Sequence, residues 1–127
     1  MSDIDMAVNA VYAAYPGYDA LVTELLAALH QASQCKGKRR HSKGRAFHDQ
    51  IIMTAGRLYG VGFHFGQVAK KMDECSELES LEAVLEELHG AIVYLSAAAA
   101  LVRERLEAGD TEMLGGAQCQ SSWRKDV

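Results

Sequence analysis

One stretch of this chain restricts the fold more than any other. Leu81, Leu85, Leu88, Ile92, Leu95, Ala99, Val102 and Leu106 follow one another at spacings 4-3-4-3-4-3-4. That is an unbroken heptad seam of nearly four heptads, and it predicts one long helix over residues 80–107. Ala91, Val93, Tyr94, Ala98 and Leu101 add apolar surface outside the seam. A helix that is apolar on every side must be surrounded. It is expected to be either the centre of a bundle or an element shared by two subunits. The charges suit its direction: Glu82, Glu86 and Glu87 lie near the N-terminal end, Arg103 and Arg105 near the C-terminal end. Gly90 is the one weak helix former inside it, and the alanine run 97–100 suits close helix packing.

The apolar core of that helix, residues 91–102, is broken only by Ser96 and is too short to span a bilayer by itself. We therefore expect a buried core helix. The start of the chain, MSDIDM, has neither a basic region nor a long apolar run, so no signal peptide is expected. Cys35, Cys75 and Cys119 are odd in number and lack CxxC spacing. They read as free thiols in a reducing compartment, which points to the cytoplasm.

The rest of the chain supplies shorter helices. Ser2 is a candidate cap for a helix over 3–15, ended by Pro16-Gly17. A second helix starts at Asp19 and runs to about Cys35, with Leu21, Leu25, Ala28, Leu29 and Ala32 as its apolar stripe. A third begins near Phe47, with Phe47, Ile51, Ile52, Ala55 and Leu58 on its expected buried face. Gly60-Val61-Gly62 predicts a bend. A fourth helix then carries Phe63, Gly66, Val68, Ala69 and Met72 to about Cys75. The fold class that follows is all-α: a compact bundle of four or five helices with a long central C-terminal helix. Residues 1–108 would form the bundle domain. Residues 109–127, rich in paired glycines and serines and carrying Trp123, would form a flexible C-terminal tail. The seam and the extra apolar surface exceed what four short helices cover, which points to a homodimer.

Charge is unevenly placed. Lys36, Lys38, Arg39, Arg40, Lys43 and Arg45 fall within ten residues and are six of the thirteen Lys and Arg. Removing those six from the net charge of -4 leaves -10, so a cationic loop is set against an acidic body. Guanidinium and ammonium groups bind phosphates and carboxylates through charge-assisted hydrogen bonds. The loop is a candidate site for a macromolecular partner or for phosphate. It is no P-loop and has no interleaved aromatics for base stacking, and the acidic average disfavours a dedicated DNA-binding protein. A protein partner is favoured over nucleic acid, and no membrane partner is expected.

A second candidate site is acidic. Asp73, Glu74 and Glu77 cluster at the end of the fourth helix, and Glu86 and Glu87 stand on the next. Carboxylates on adjacent helices suit Mg²⁺, which takes hard oxygen ligands. The stretch KKMDECSELESL followed by EELHGAIVYLSAAAALV resembles the MazG-like all-α nucleoside triphosphate pyrophosphohydrolases. Asp73-Glu74-x-x-Glu77 matches that family's EExxE motif with one conservative change. Glu87-Leu88-His89-Gly90 falls where its ExxD motif stands, with Gly90 in place of the aspartate. The resemblance implies a magnesium site at Asp73, Glu74, Glu77 and Glu86, with Lys38, Arg39 or Arg40 meeting the phosphates while water attacks the α-β linkage. It also implies that the second acidic motif is degenerate.

Other motifs are set aside. Residues 60–66, GVGFHFG, have neither the spacing nor the preceding strand of a dinucleotide fingerprint. The five histidines form no HxxxH or HExxH, and Glu86-x-x-His89 is only half of a di-iron pattern. No nucleophile has a recognisable base and orienter. Catalytic residues are therefore not assigned. The first expectation is a small, non-enzymatic helical interaction protein. By analogy, proteins of this build are common among phage and mobile-element accessory and inhibitor proteins. The alternative is a MazG-like, Mg-dependent nucleoside triphosphate pyrophosphohydrolase.

Overall fold

A computed structural model describes residues 1–34 and 44–114. Five α-helices and one 3₁₀ turn follow in order: α1 (Asp3–Ala14), α2 (Asp19–Gln34), the turn Phe47–Asp49, α3 (Ile51–Tyr59), α4 (Gly62–Cys75) and α5 (Leu81–Glu107). The fold is an all-α bundle with the long helix at its C-terminal end. The cations Lys36, Lys38, Arg39, Arg40 and Lys43 lie outside the described residues, as do Cys35, Cys119 and Trp123.

Local chemistry explains most of the boundaries. Ser2 caps α1 through a full capping box: its Oγ accepts from the Asp5 N–H at 3.1 Å, and its own N–H donates to Asp5 Oδ2 at 3.2 Å. That bonding holds the Asp5 carboxyl below its usual range. Ser80 caps α5 by accepting from the Ala83 N–H. Gly60 ends α3 at φ +87°, a region that suits glycine, and its N–H closes onto the Gly56 carbonyl. The third helix starts later than its apolar spacing predicts. Phe47, His48 and Asp49 take a separate 3₁₀ turn, and Gln50 is extended before α3 begins.

Helix α5 is the axis. It packs most extensively on α4, then on α2 and α3. The main apolar cluster joins Ile52 and Met53 of α3, Val61 of the bend, and Ala97, Ala98 and Leu101 of α5. By length and apolar composition α5 also meets the minimum for a membrane span. Its buried histidine and its contacts with three other helices instead make it the spine of a helical domain.

The face that α5 buries is not the one its heptads mark. His89, Ala91, Ala97, Ala98 and Leu101 are buried, whereas Leu81 is 84% exposed, Leu95 48% and Leu106 68%. Leu85, Leu88 and Ala99 are exposed too. The physical reason is that small side chains let helix axes approach closely. The alanines of α5 sit against the α3–α4 corner, where leucines would hold the helices apart. A similar inversion occurs on α2, where Ala28 is buried and Leu21, Leu25 and Leu29 are exposed, while α3 buries Ile52, Met53 and Ala55 and leaves Leu58 outside.

His64 fills the centre of the α3–α4 corner with no exposed surface. Its Nε2 donates to the Ile52 carbonyl at 2.7 Å. Its Nδ1 is the buried side-chain atom without a hydrogen-bond partner among the described residues. The Cε1 and Nε2 edge of the ring abuts Gly56, where an added Cβ would stand 2.8 Å from Nε2. Arg57 holds the outer edge: Nη1 donates to the His48 carbonyl at 2.7 Å, while Nε and Nη2 reach the Glu104 carboxylate at 3.0 and 2.7 Å. One guanidinium thus joins the 3₁₀ turn, α3 and α5.

Two outcomes follow. Gly56→Ala overpacks the imidazole and is expected to lower unfolding free energy by about 1–3 kcal/mol in urea titrations. Gly62→Ala, with nothing near its added Cβ, should leave the midpoint within about 0.5 kcal/mol-equivalent of the parent. For Glu104, the Arg57 hydrogen bonds hold its pKa below the ordinary 4.5. A carboxylate depressed in the folded state contributes stability above its unfolded pKa and loses it as pH falls through the folded value. Thermal melts should show this loss below about pH 4.5 in the parent chain, and a shallower loss over the same window in Glu104→Gln.

Candidate functional site

Helices α4 and α5 form an antiparallel hairpin. Phe63 near the start of α4 meets Tyr94, ring to ring at 6.2 Å, and Lys71 further along reaches back to Glu87 at 3.4 Å. Where the hairpin meets the end of α2 and the Phe47 turn, a cavity of about 270 Å³ opens. Its walls are largely apolar (Phe47, Ile52, Phe63, Val93, Tyr94). Gln31, Gln50, Lys71 and Glu87 supply the polar groups.

The Lys71–Glu87 pair is the electrostatic centre of this cavity. Both side chains are mostly covered, at 21% and 16% exposed. The Lys71 ammonium also lies 5.8 Å from the centre of the Tyr94 ring, within cation–π range. Burial pushes the Tyr94 phenol above its usual pKa. Gly90 makes room for this arrangement: a Cβ there would sit 3.0 Å from Lys71 Nζ. At the position where the resembled family's second motif has an aspartate, this chain has a glycine with an ammonium over it.

The acidic residues marked in the sequence lie around this hairpin without converging. Asp73 is exposed, and Glu74 pairs with Lys70 one turn earlier at 3.7 Å. Helix α4 stops at Cys75, where Ser76 Oγ donates to the Asp73 carbonyl. Glu77 therefore lies beyond the helix and shares no helical face with Asp73. Glu86 borders the cavity, and its backbone carbonyl accepts from Gln31 Nε2 at 3.1 Å. Among the described residues no three His, Cys, Asp or Glu side chains gather at metal-binding distance.

A second, more open groove of about 610 Å³ runs between α2, α5 and the Phe47 turn. Leu25, Ala28 and Leu29 line one wall and Ile92, Val93 and Ser96 the other. Ser33, Gln34, Gly44 and Arg45 also line it. The described chain leaves α2 at Gln34 and returns at Gly44, so both ends that bracket residues 35–43 stand on this groove. Arg45, the one basic-loop cation among the described residues, is exposed on its edge.

Sequence reasoning did not mark Lys71, Glu87 with it as a pair, Gln31, Gln50 or Tyr94 as site residues. Nor did it pair His89 Nε2 with Glu24 Oε1, which meet at 3.3 Å between α5 and α2. Only the tandem lysines before the acidic cluster hinted at Lys71. Its partner sixteen residues on becomes a neighbour through the hairpin alone. Comparison with family models, with curated proteins and with solved structures returns no match.

Lys71 is a flexible side chain able to yield to a methyl group. Gly90→Ala should therefore gain helix propensity and be neutral or stabilising by up to about 1 kcal/mol. Chemical denaturation checks this. A loss of more than about 1 kcal/mol would mean that the ammonium is rigidly held.

Proposed function

We propose that this chain is a small, cytoplasmic, non-enzymatic interaction protein that captures an acidic, amphipathic segment of a protein partner. The reading rests on one juxtaposition: Gln34 and Gly44, the described residues on either side of 35–43, line one apolar groove together with Arg45, and the sequence between them is strongly cationic. Apolar side chains of the partner would fill the groove beside Leu29, Phe47 and Val93. Its carboxylates would meet the Lys and Arg side chains through charge-assisted hydrogen bonds. The acidic body repels anions elsewhere on the chain and so favours this edge, which serves orientation and association rate more than affinity. An accessory or inhibitor role of the kind carried by phages and mobile elements suits a domain of this size.

A fluorescent helical peptide built from leucine and glutamate tests the reading. Anisotropy should show binding that weakens with salt. Arg39→Gln, Arg40→Gln and Arg45→Gln together should weaken it about tenfold at low salt, as expected for three exposed ion pairs. Equal affinity in the triple variant would remove the cationic stretch as a site. The hydrolase alternative has its own readout. Release of monophosphate and pyrophosphate from dNTPs with Mg²⁺, abolished by Glu74→Ala, would replace the interaction reading.

A further inference from the structure

We infer that the outward leucine face of α5 is a homodimer seam, on which α5 of a second copy of this chain lies antiparallel with Glu82 of each copy meeting Arg103 of the other. This goes beyond the peptide-capture reading and does not depend on it.

Three observations carry it. The first is that the heptad seam is complete in sequence and largely uncovered among the described residues: Leu81, Leu85, Leu88, Leu95, Ala99 and Leu106 are exposed, while Ile92 borders the α2 groove and Val102 packs on the main apolar cluster. Contiguous apolar surface on this scale is unusual on a monomer and marks an interface. The second is its extent: five leucines, Leu81, Leu85, Leu88, Leu95 and Leu106, stand 39–84% exposed along the whole of α5, and a standard stable complex buries on the order of 800 Å² per partner.

The third is charge. The residues flanking the seam on one side are Glu82, His89, Ser96 and Arg103, one per heptad. Glu82 and Arg103 are both exposed. In a parallel pair this flank would instead lie against the partner's opposite flank, where Ala91 and Ala98 are buried, so Glu82 would not meet Arg103, and the helix dipoles would align. In an antiparallel pair Glu82 faces Arg103 twice, and the dipoles oppose. The antiparallel register also closes the seam on itself about a two-fold axis between Ile92 and Leu95. Leu81 then packs on Leu106, Leu85 on Val102, Leu88 on Ala99, and Ile92 on Leu95. The leucine–alanine layer sets a large side chain against a small one.

Sedimentation equilibrium of the full chain reads the result. The expected species at micromolar concentration has twice the 13.8 kDa chain mass. Leu88→Glu with Leu95→Glu touches only side chains exposed in the single chain. It should give a monomer of unchanged helical circular dichroism. Glu82→Arg should weaken dimerisation at least tenfold, and adding Arg103→Glu to it should restore the parent affinity. A parent chain that stays monomeric at 100-fold higher concentration overturns the inference, as does a dimer that survives both glutamates. A charge swap that fails to restore affinity overturns the antiparallel register. Flotation with phosphatidylglycerol vesicles covers the competing occupant: vesicle binding by a monomeric parent, lost in the double-glutamate variant, would assign the face to a lipid surface instead.

Discussion

The close approach of α5 to the α3–α4 corner is the contact on which the rest of the molecule depends. It exists because α5 turns its small residues inward. Ala97 is wholly buried, Ala91 and Ala98 nearly so, and Gly90 lies directly beneath Lys71. Met53 and His64, the largest fully buried side chains, fill the space beneath this contact. An imidazole fits there because position 56 is a glycine. Dispersion forces reward such proximity, since each atom pair contributes only near contact distance. Once the alanine face is spent on the core, the leucine face of α5 is left largely exposed among the described residues.

That division also shapes the cavity beside the α4–α5 hairpin. An ammonium and a carboxylate taken partly out of water need each other, and the Lys71–Glu87 pair is further sheltered by the Tyr94 ring. In a magnesium site the carboxylates of two facing helices would share a divalent cation. Here a lysine side chain meets the Glu87 carboxylate, while Glu74 has turned to Lys70. The arrangement gives the α4–α5 interface an internal counter-charge built from the chain itself. The open groove on the other side of the Phe47 turn differs in kind. It is apolar along its walls, and Arg45 is the one cation among the described residues that line it.

Much of the secondary structure was legible in the residues. Ser2 caps where its hydroxyl could accept a backbone N–H, Pro16-Gly17 separates α1 from α2, and Gly60 terminates α3. These are local effects, decided within four residues, so local spacing finds them. The 3₁₀ turn at Phe47 was not legible, because it is held by Arg57 from a later helix. Nor was the Lys71–Glu87 pair, whose two members carry no spacing pattern. Of the acidic candidates, Glu86 reaches the cavity, while Glu77 is carried past the end of α4 by the Ser76 turn.

The sequence alone determined that this chain is helical, where most of its helix breaks fall, and that one helix is too apolar to stand unpartnered. Periodicity can establish that a helix has several apolar faces, but it cannot rank them. A leucine stripe and an alanine stripe each lower the free energy by leaving water, and the leucines gain more per residue. Only the tertiary structure decided between them, because the benefit of small residues is the distance they permit between two backbones. That distance is a property of a pair of helices, and no single helix encodes it.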